Sequence, residues 1–235
     1  AIEALDEGRS VLVCAPTGTG KTIIADWIVE RALTTNKRVI YTAPIKALSN
    51  QKFRDYTKLH GDASVGLVTG DLVIRRDAPC LVMTTEILRN MLLGDEKPTD
   101  LLAVILDEVH FLDDLERGTV WEEVLIYLPE HVQIVGLSAT LSNRHEFADW
   151  LSYVRGAPVE VVECNERAVP LEHFYMCQET GIVTPAEYDR RWKRQRRSVQ
   201  QKKREERSGR KGGRDRGQGR RRRKTGHLDV YQATH

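Results

Sequence analysis

The sequence predicts an α/β fold, a doubly wound and mainly parallel sheet over about residues 1–165, followed by a basic C-terminal tail. Three observations carry that expectation. Short apolar runs alternate with helical stripes at the spacing of βαβ units. Several runs, Leu101-Leu-Ala-Val-Ile-Leu106 foremost, are apolar without interruption, as strands covered on both faces by helices are. A loop of small residues closed by Lys21-Thr22 stands between the first such run and a helix.

The elements follow in order. Ala1 to Leu5 reads as the end of a helix already under way, stopped near Gly8, and suggests a chain that begins inside a larger protein. Val11 to Cys14 is a strand; beyond the loop, Ile23, Ile24, Trp27, Ile28 and Ala32 form a helical stripe. Arg38 to Ala43 is a buried strand ended by Pro44, and Lys46 to Leu59 is helical. Ser64–Val68 and Cys80–Met83 are strands, and Glu86–Leu93 is a short helix closed by Gly94. Leu101–Leu106 precedes a helix over Gly118–Leu128 with Val120, Trp121, Val124, Leu125 and Leu128 inward. Strand Val132–Leu137, helix Arg144–Val154 and strand Val159–Val162 complete the series. Residues 166–178 read as an extended exit segment, since Pro170 discourages a helix.

The formal net charge of +2 hides an asymmetry. Arg190 to Lys224 holds 19 Lys or Arg against 3 Asp or Glu, so the remainder of the chain is strongly acidic. That stretch is nearly free of aliphatic residues and cannot offset its ordering entropy by burial, so residues 179–235 are expected to be a largely disordered Arg/Gly-rich linker or insertion. No apolar run approaches the roughly 18 residues of a membrane helix. The four cysteines, Cys14, Cys80, Cys164 and Cys177, form no C-x-x-C pair. A reduced, cytoplasmic setting without a zinc cluster is expected, or a nuclear one in a eukaryotic source.

The loop Ala15-Pro16-Thr17-Gly18-Thr19-Gly20-Lys21-Thr22 has the make-up of a phosphate cradle. Small residues let backbone N–H groups converge, and the following helix adds its positive N-terminus. Lys21 would reach the outer phosphates of a nucleotide and Thr22 would hold Mg²⁺. Ala15 stands where such loops usually carry their first glycine. Asp107-Glu108-Val109-His110 sits at the carboxyl end of an apolar strand, where open α/β sheets bind ligands. Asp107 is placed to hold Mg²⁺ through water, and Glu108 to orient and deprotonate the water that attacks the γ-phosphate. Ser138 and Thr140, at the end of the next strand, could report the γ-phosphate to the acidic pair. Gly136-Leu-Ser-Ala-Thr140 lacks the last glycine of a nucleophile elbow, and His145-Glu146 lacks the second histidine of a zincin helix because Asp149 stands there.

Six segments stand together in the order of a superfamily-two helicase: Ala15–Thr22, Thr42-Ala-Pro-Ile-Lys-Ala-Leu48, Val68-Thr-Gly-Asp71, Thr84-Thr-Glu86, Asp107-Glu-Val-His110 and Ser138-Ala-Thr140. Glu116-Arg-Gly-Thr-Val-Trp-Glu-Glu123, Leu128-Pro129, Phe147-Ala-Asp-Trp-Leu151 and Val169-Pro-Leu-Glu-His173 further resemble the superkiller, exosome-associated branch of DExH-box RNA helicases. The resemblance spans about residues 1–177. It implies a RecA-like P-loop NTPase domain, the first of two, using ATP and Mg²⁺ to move along single-stranded RNA in an RNA-decay complex. Pro44, Lys46, Ala47, Thr69, Gly70, Thr84 and Thr85 would face the sugar-phosphate backbone, and His110 would couple nucleotide state to motion. Glu116, Arg117, Trp121 and Glu122 read as structural, with Trp121 in the core.

Two family features are missing. The glutamine that reads adenine has no candidate in the ten residues before Val11, so ATP over GTP rests on resemblance. Nothing after His173 resembles the second motor domain with its Q-x-x-G-R-x-G-R arginines, so the chain by itself is expected to be a weak ATPase and no helicase. A superfamily-two DNA helicase, and a non-motor ATP-dependent protein that clamps nucleic acid, are the alternative readings. The basic tail is expected to add sequence-independent affinity through counterion release. Deleting residues 190–224 from the intact protein should therefore weaken RNA binding and flatten its dependence on log salt in a filter-binding titration; an unchanged slope would leave the tail a solvated insertion.

Overall fold

The computed structural model describes residues 1–94, 100–113, 118–139, 141–167, 169–177, 181–194, 196 and 231–233. It falls into two units, Ala1–Ala168 and Val169–His235. The first runs α1 (Ile2–Asp6), β1 (Ser10–Cys14), α2 (Lys21–Thr34), β2 (Arg38–Ala43), α3 (Lys46–His60), β3 (Val65–Val68), β4 (Val73–Ile74), β5 (Cys80–Thr84), α4 (Thr85–Leu93) and β6 (Leu101–Asp107). A 3₁₀ turn (Val109–Asp113), α5 (Gly118–Tyr127), β7 (Gln133–Ser138), α6 (Arg144–Arg155) and β8 (Val159–Glu163) follow. The eight strands form one sheet in the order β4-β3-β5-β2-β6-β7-β1-β8. All neighbours are parallel except β3 and β4, whose short hairpin at the edge has no counterpart in the expected elements.

The sheet divides two cores, and the strand sequences alternate between them. Val11, Val13, Val39, Tyr41, Ala103, Ile105 and Val135 pack toward Ala25, Ile28, Val29 and Ala32 of α2 and Tyr56 of α3. Leu12, Cys14, Ile40, Leu81, Met83, Val104, Leu106 and Ile134 face Leu88 and Leu92 of α4, Trp121 and Leu125 of α5 and Leu151 of α6. Trp121 is in the core as expected, 1% exposed. Ile23 is not part of the buried stripe of α2. It is 65% exposed, because α2 starts two residues earlier, at Lys21, and turns Ile23 outward beside the loop.

Register fixes what this topology gathers. Asp107 lies opposite Leu137, Leu137 opposite Val13, and Ser138 opposite Cys14. The ends of β6, β7 and β1 are thus level, and the N-termini of α2, α3 and α4 open at the same edge, where their strands end. At the opposite edge Arg155, 5% exposed at the end of α6, donates to the carbonyls of Leu128, Pro129, Glu130 and Val132 at 2.5 to 2.9 Å. One guanidinium therefore satisfies four carbonyls of the turn between α5 and β7.

The second unit contains a small antiparallel sheet, β9 (Phe174–Cys177) flanked by β10 (Gly181–Val183) and β11 (Tyr231–Ala233). Residues 185–194 form a helix, α7. Of the range 179–235 expected to be largely disordered, residues 181–183 are in β10 and residues 185–194 in α7. The local cause is a capping box in Thr184-Pro185-Ala186-Glu187: Thr184 N–H donates to Glu187 Oε2 at 3.1 Å and Glu187 N–H to Thr184 Oγ1 at 3.3 Å, with proline at the first helical position. Tyr188 packs on Tyr175 at 4.8 Å between ring centroids. Most of the basic stretch, residues 197–230, lies outside the described residues. Among the described residues no helix is long and apolar enough to cross a membrane. Replacing Arg155 with Met leaves the buried carbonyls of Leu128 and Val132 and the part-buried ones of Pro129 and Glu130 without their donor and should lower stability by about 3 kcal/mol in urea denaturation.

Candidate functional site

The loop after β1 is shaped by its glycines. Gly18 and Gly20 both stand at φ +87°, a left-handed backbone that other residues adopt only with strain. Ala15 N–H donates to Ser138 O at 3.0 Å, pinning the loop to β7, and Thr19 Oγ1 donates to Pro16 O at 2.7 Å. Helix α2 opens at Lys21 with no side-chain cap, so its first N–H groups are left for an incoming anion. The Lys21 ammonium donates to the carbonyls of Ala15 and Pro16. Burial lowers its pKa from the ordinary lysine value, against the opposing pull of Glu108 and Asp107. Thr22 is exposed at the mouth of the loop, as is Thr17.

Asp107 ends β6 with both carboxylate oxygens engaged. Tyr41 Oη donates to Oδ2, and the Glu108 N–H donates to Oδ1 at 3.0 Å. Burial, with Asp107 second, raises the pKa of Tyr41 and keeps it a donor. Glu108 stands at φ +57°, the left-handed region that is strained for a residue with a Cβ. That turn aims its carboxylate at His110, whose Nδ1 lies 3.3 Å from Glu108 Oε2. Ser138 Oγ is buried without a hydrogen bond among the described residues, and Glu108 Oε2 and His110 Nδ1, also buried, face each other at 3.3 Å without hydrogen-bond geometry. Orphaned atoms of this kind at a cleft mark room for a ligand or its water. Thr140, expected beside Ser138, lies outside the described residues, as do Glu116 and Arg117.

The donor set fits a nucleotide with a divalent ion. Mg²⁺ takes one or two protein oxygens and completes its shell with water and phosphate; Thr22, in the first turn of α2 after β1, and Asp107, at the end of β6, are the oxygen donors at this edge, with β7 between their strands. The N-termini around the loop suit the phosphates.

Four of the residues expected to face a nucleic acid, Pro44, Lys46, Gly70 and Thr84, line one opening of about 500 Å³ together with Ile45, Glu86 and Ile87. Lys46 is paired with Asp71 across it. Ala47 is exposed in the first turn of α3, whereas Thr69, Thr84 and Thr85 are 6%, 6% and 1% exposed. Helices α3 and α4 start here without side-chain caps.

Two features were not anticipated from sequence. One is the Tyr41 hydroxyl, whose signal was a polar-tipped residue inside the otherwise apolar strand Val39-Ile-Tyr41. The other is a second pocket of about 360 Å³ beside the loop, lined by Cys14, Pro16, Leu141, Arg144, Glu163 and Cys164 among others. Its Glu163 binds Arg144 at 2.6 Å and His145 at 2.9 Å. Here and in the sheet the thiols differ sharply. Burial pushes Cys80 up to about 12 and raises Cys14, while Cys164 is exposed.

The sequence profile of the DEAD/DEAH box helicase family matches residues 1–147. Over 175 residues, 74% of this chain, the sequence is 53% identical to Superkiller complex protein 2 of Mus musculus and 49% identical to the DExH-box ATP-dependent RNA helicase DExH9 of Arabidopsis thaliana. The chain spans 14% and 18% of the length of those two relatives. Among solved structures, the helicase Lhr of Mycobacterium smegmatis bound to ssDNA and AMP-PNP is 30% identical, with a TM-score of 0.56 over 69% of this chain and 24% of that one. Iodoacetamide at pH 8 should modify Cys164 of the native chain at least about 100-fold faster than Cys14 or Cys80, by peptide mass spectrometry, because burial withholds the thiolate from the latter two.

Proposed function

The chain belongs to the DEAD/DEAH box helicase family, and from that premise we propose that residues 1–165 are the first, ATP-binding RecA-like domain of a DExH-box RNA helicase of the superkiller type. Residues 166–178 lead toward a second motor domain, and residues 179–235 form a basic linker or insertion. The observation that carries this reading is the level register of β1, β7 and β6, with Lys21, Ser138 and the Asp107-Glu108 pair at one edge.

The roles follow from that arrangement. The backbone from Pro16 to Gly20 cradles the phosphates, and Lys21 exchanges its two carbonyl acceptors for phosphate oxygens. Thr22 and Asp107 hold Mg²⁺, which when bound neutralises charge on the phosphates. Glu108 orients a water and takes its proton as the water oxygen bonds to the γ-phosphorus; the bond from that phosphorus to the bridging oxygen breaks, and ADP leaves with the electron pair. His110, beside Glu108, and Ser138 with Thr140 register whether the γ-phosphate is present. Arginines of the second motor domain would complete the charge stabilisation, a contribution of about 10³ to 10⁵ in related phosphoryl transfer.

The opening around Lys46 suits a single strand held by its backbone. Lys46, the uncapped N-termini of α3 and α4, and the loop amides near Pro44, Ala47, Thr69, Gly70, Thr84 and Thr85 are phosphate-directed groups that read no base. The tail from Arg190 to Lys224 adds non-specific attraction. Two similar proteins, a subunit of a superkiller complex and an RNA helicase, support RNA as the strand and a place in a multiprotein complex, which the sequence resemblance makes one of RNA decay.

In the full-length polypeptide, Glu108→Gln should lower RNA-stimulated ATP hydrolysis at least about 10³-fold while leaving the affinity for an ATP analogue within a few-fold, measured by phosphate release and by fluorescence titration. Normal turnover would remove Glu108 as the base. Stimulation by DNA in preference to RNA would favour the DNA-helicase alternative.

A further inference from the structure

Tyr41 is a polar side chain at the site to which the reading above gives no role. It is 1% exposed, and its ring lies in the core shared by the sheet with α2 and α3. A phenylalanine would fill the same volume without a hydroxyl to satisfy, and a buried hydroxyl costs stability unless it is bonded. Here the bond goes to Asp107 Oδ2, across from β2 to the neighbouring strand β6. The other oxygen, Oδ1, accepts from the Glu108 N–H at 3.0 Å. The carboxylate is therefore held at two points, one of them the backbone of the next residue, and Tyr41 is the side chain that fixes its rotation.

Tyr41 is itself fixed from α3. Tyr56 meets its ring edge-on, with centroids 5.6 Å apart and planes at 74°. Lys52 Nζ sits 5.5 Å from the Tyr41 centroid and 5.7 Å from that of Tyr56. Both residues belong to the helix whose first residue is Lys46. The helix that begins at the opening is thus also the one that packs on Tyr41, the donor to Asp107.

We propose that Tyr41 is a positioning residue for Asp107: clamped by Lys52 and Tyr56 of α3, its hydroxyl holds the carboxylate in the rotamer whose remaining lone pairs face a divalent metal. The proposal rests on Asp107 being the metal-holding carboxylate of the functional reading. Each oxygen that accepts one hydrogen bond keeps a second lone pair, so the clamp orients the group without using it up.

The test compares Tyr41→Phe and Asp107→Asn in the full-length polypeptide. Mn²⁺ binding is followed by electron paramagnetic resonance in the presence of a non-hydrolysable ATP analogue, and the Mg²⁺ dependence of ATPase is measured alongside. Tyr41→Phe should weaken Mn²⁺ binding about 10-fold, the lower end for loss of an outer-shell partner, and raise the half-saturating Mg²⁺ similarly. The KM for ATP at saturating metal should stay within about twofold. If the bond serves only to satisfy a buried tyrosine, Tyr41→Phe shifts the melting temperature but leaves Mn²⁺ affinity unchanged, and the proposal is overturned. Parent-like Mn²⁺ binding by Asp107→Asn would instead sink the functional reading of Asp107, whatever Tyr41 does. Were Tyr41→Phe not to fold, Tyr56→Leu, which loosens the ring from α3, reads the same loss of metal affinity, and no loss in it overturns the proposal.

Discussion

The hydrogen-bond ladder that joins β6, β7 and β1 is the constraint on which the site depends. Because Asp107, Leu137 and Val13 lie abreast, a carboxylate that begins 86 residues after Lys21 in the chain arrives at the same edge as the phosphate loop. Strand side chains alternate faces, so a slip of one residue in β6 would send Asp107 and Leu106 to exchanged sides and open the core under α5. Apolar burial on both faces therefore enforces the alignment of the candidate site. The chemistry needs no separate device to find its alignment.

The same parallel topology explains why the two candidate binding regions share one edge. Each strand end is followed by a loop and, for β1, β2 and β5, directly by a helix whose N-terminus opens there. None of α2, α3 and α4 is closed by a side-chain cap. Helix ends commonly recruit Ser, Thr, Asp or Asn for that purpose. Helices α1 and α6 lack such a cap as well, so what sets α2, α3 and α4 apart is their place: their free backbone donors open at the edge that carries both candidate binding regions.

What was legible in the sequence was whatever has a short-range cause. The spacing from Ala15 to Thr22, the acidic pair ending an apolar strand and the alternation of runs and stripes are local patterns, and the sheet they imply is the one observed. Ile23 was misread because an apolar residue at helical spacing looks alike on either side of a helix start set by Lys21. The helix at 185–194 was overlooked although Thr184-Pro-Ala-Glu187 announces it, because the charge of the neighbouring stretch dominated the composition. The Tyr41 bond, the Arg155 clasp and the β3–β4 hairpin depend on partners distant in sequence, and composition cannot supply those.

Glu108 shows where the fold and its chemistry diverge. A left-handed backbone at a residue with a Cβ costs roughly 1–2 kcal/mol, and glycine would adopt it without that strain. A search for more stable versions of this protein that watched only melting temperature would drift toward glycine or asparagine at this position and would be rewarded for it. With Glu108 as the proposed base, the strained residue is a point at which screening for robustness would select against turnover, and a stabilised variant would then need residue 108 held constant.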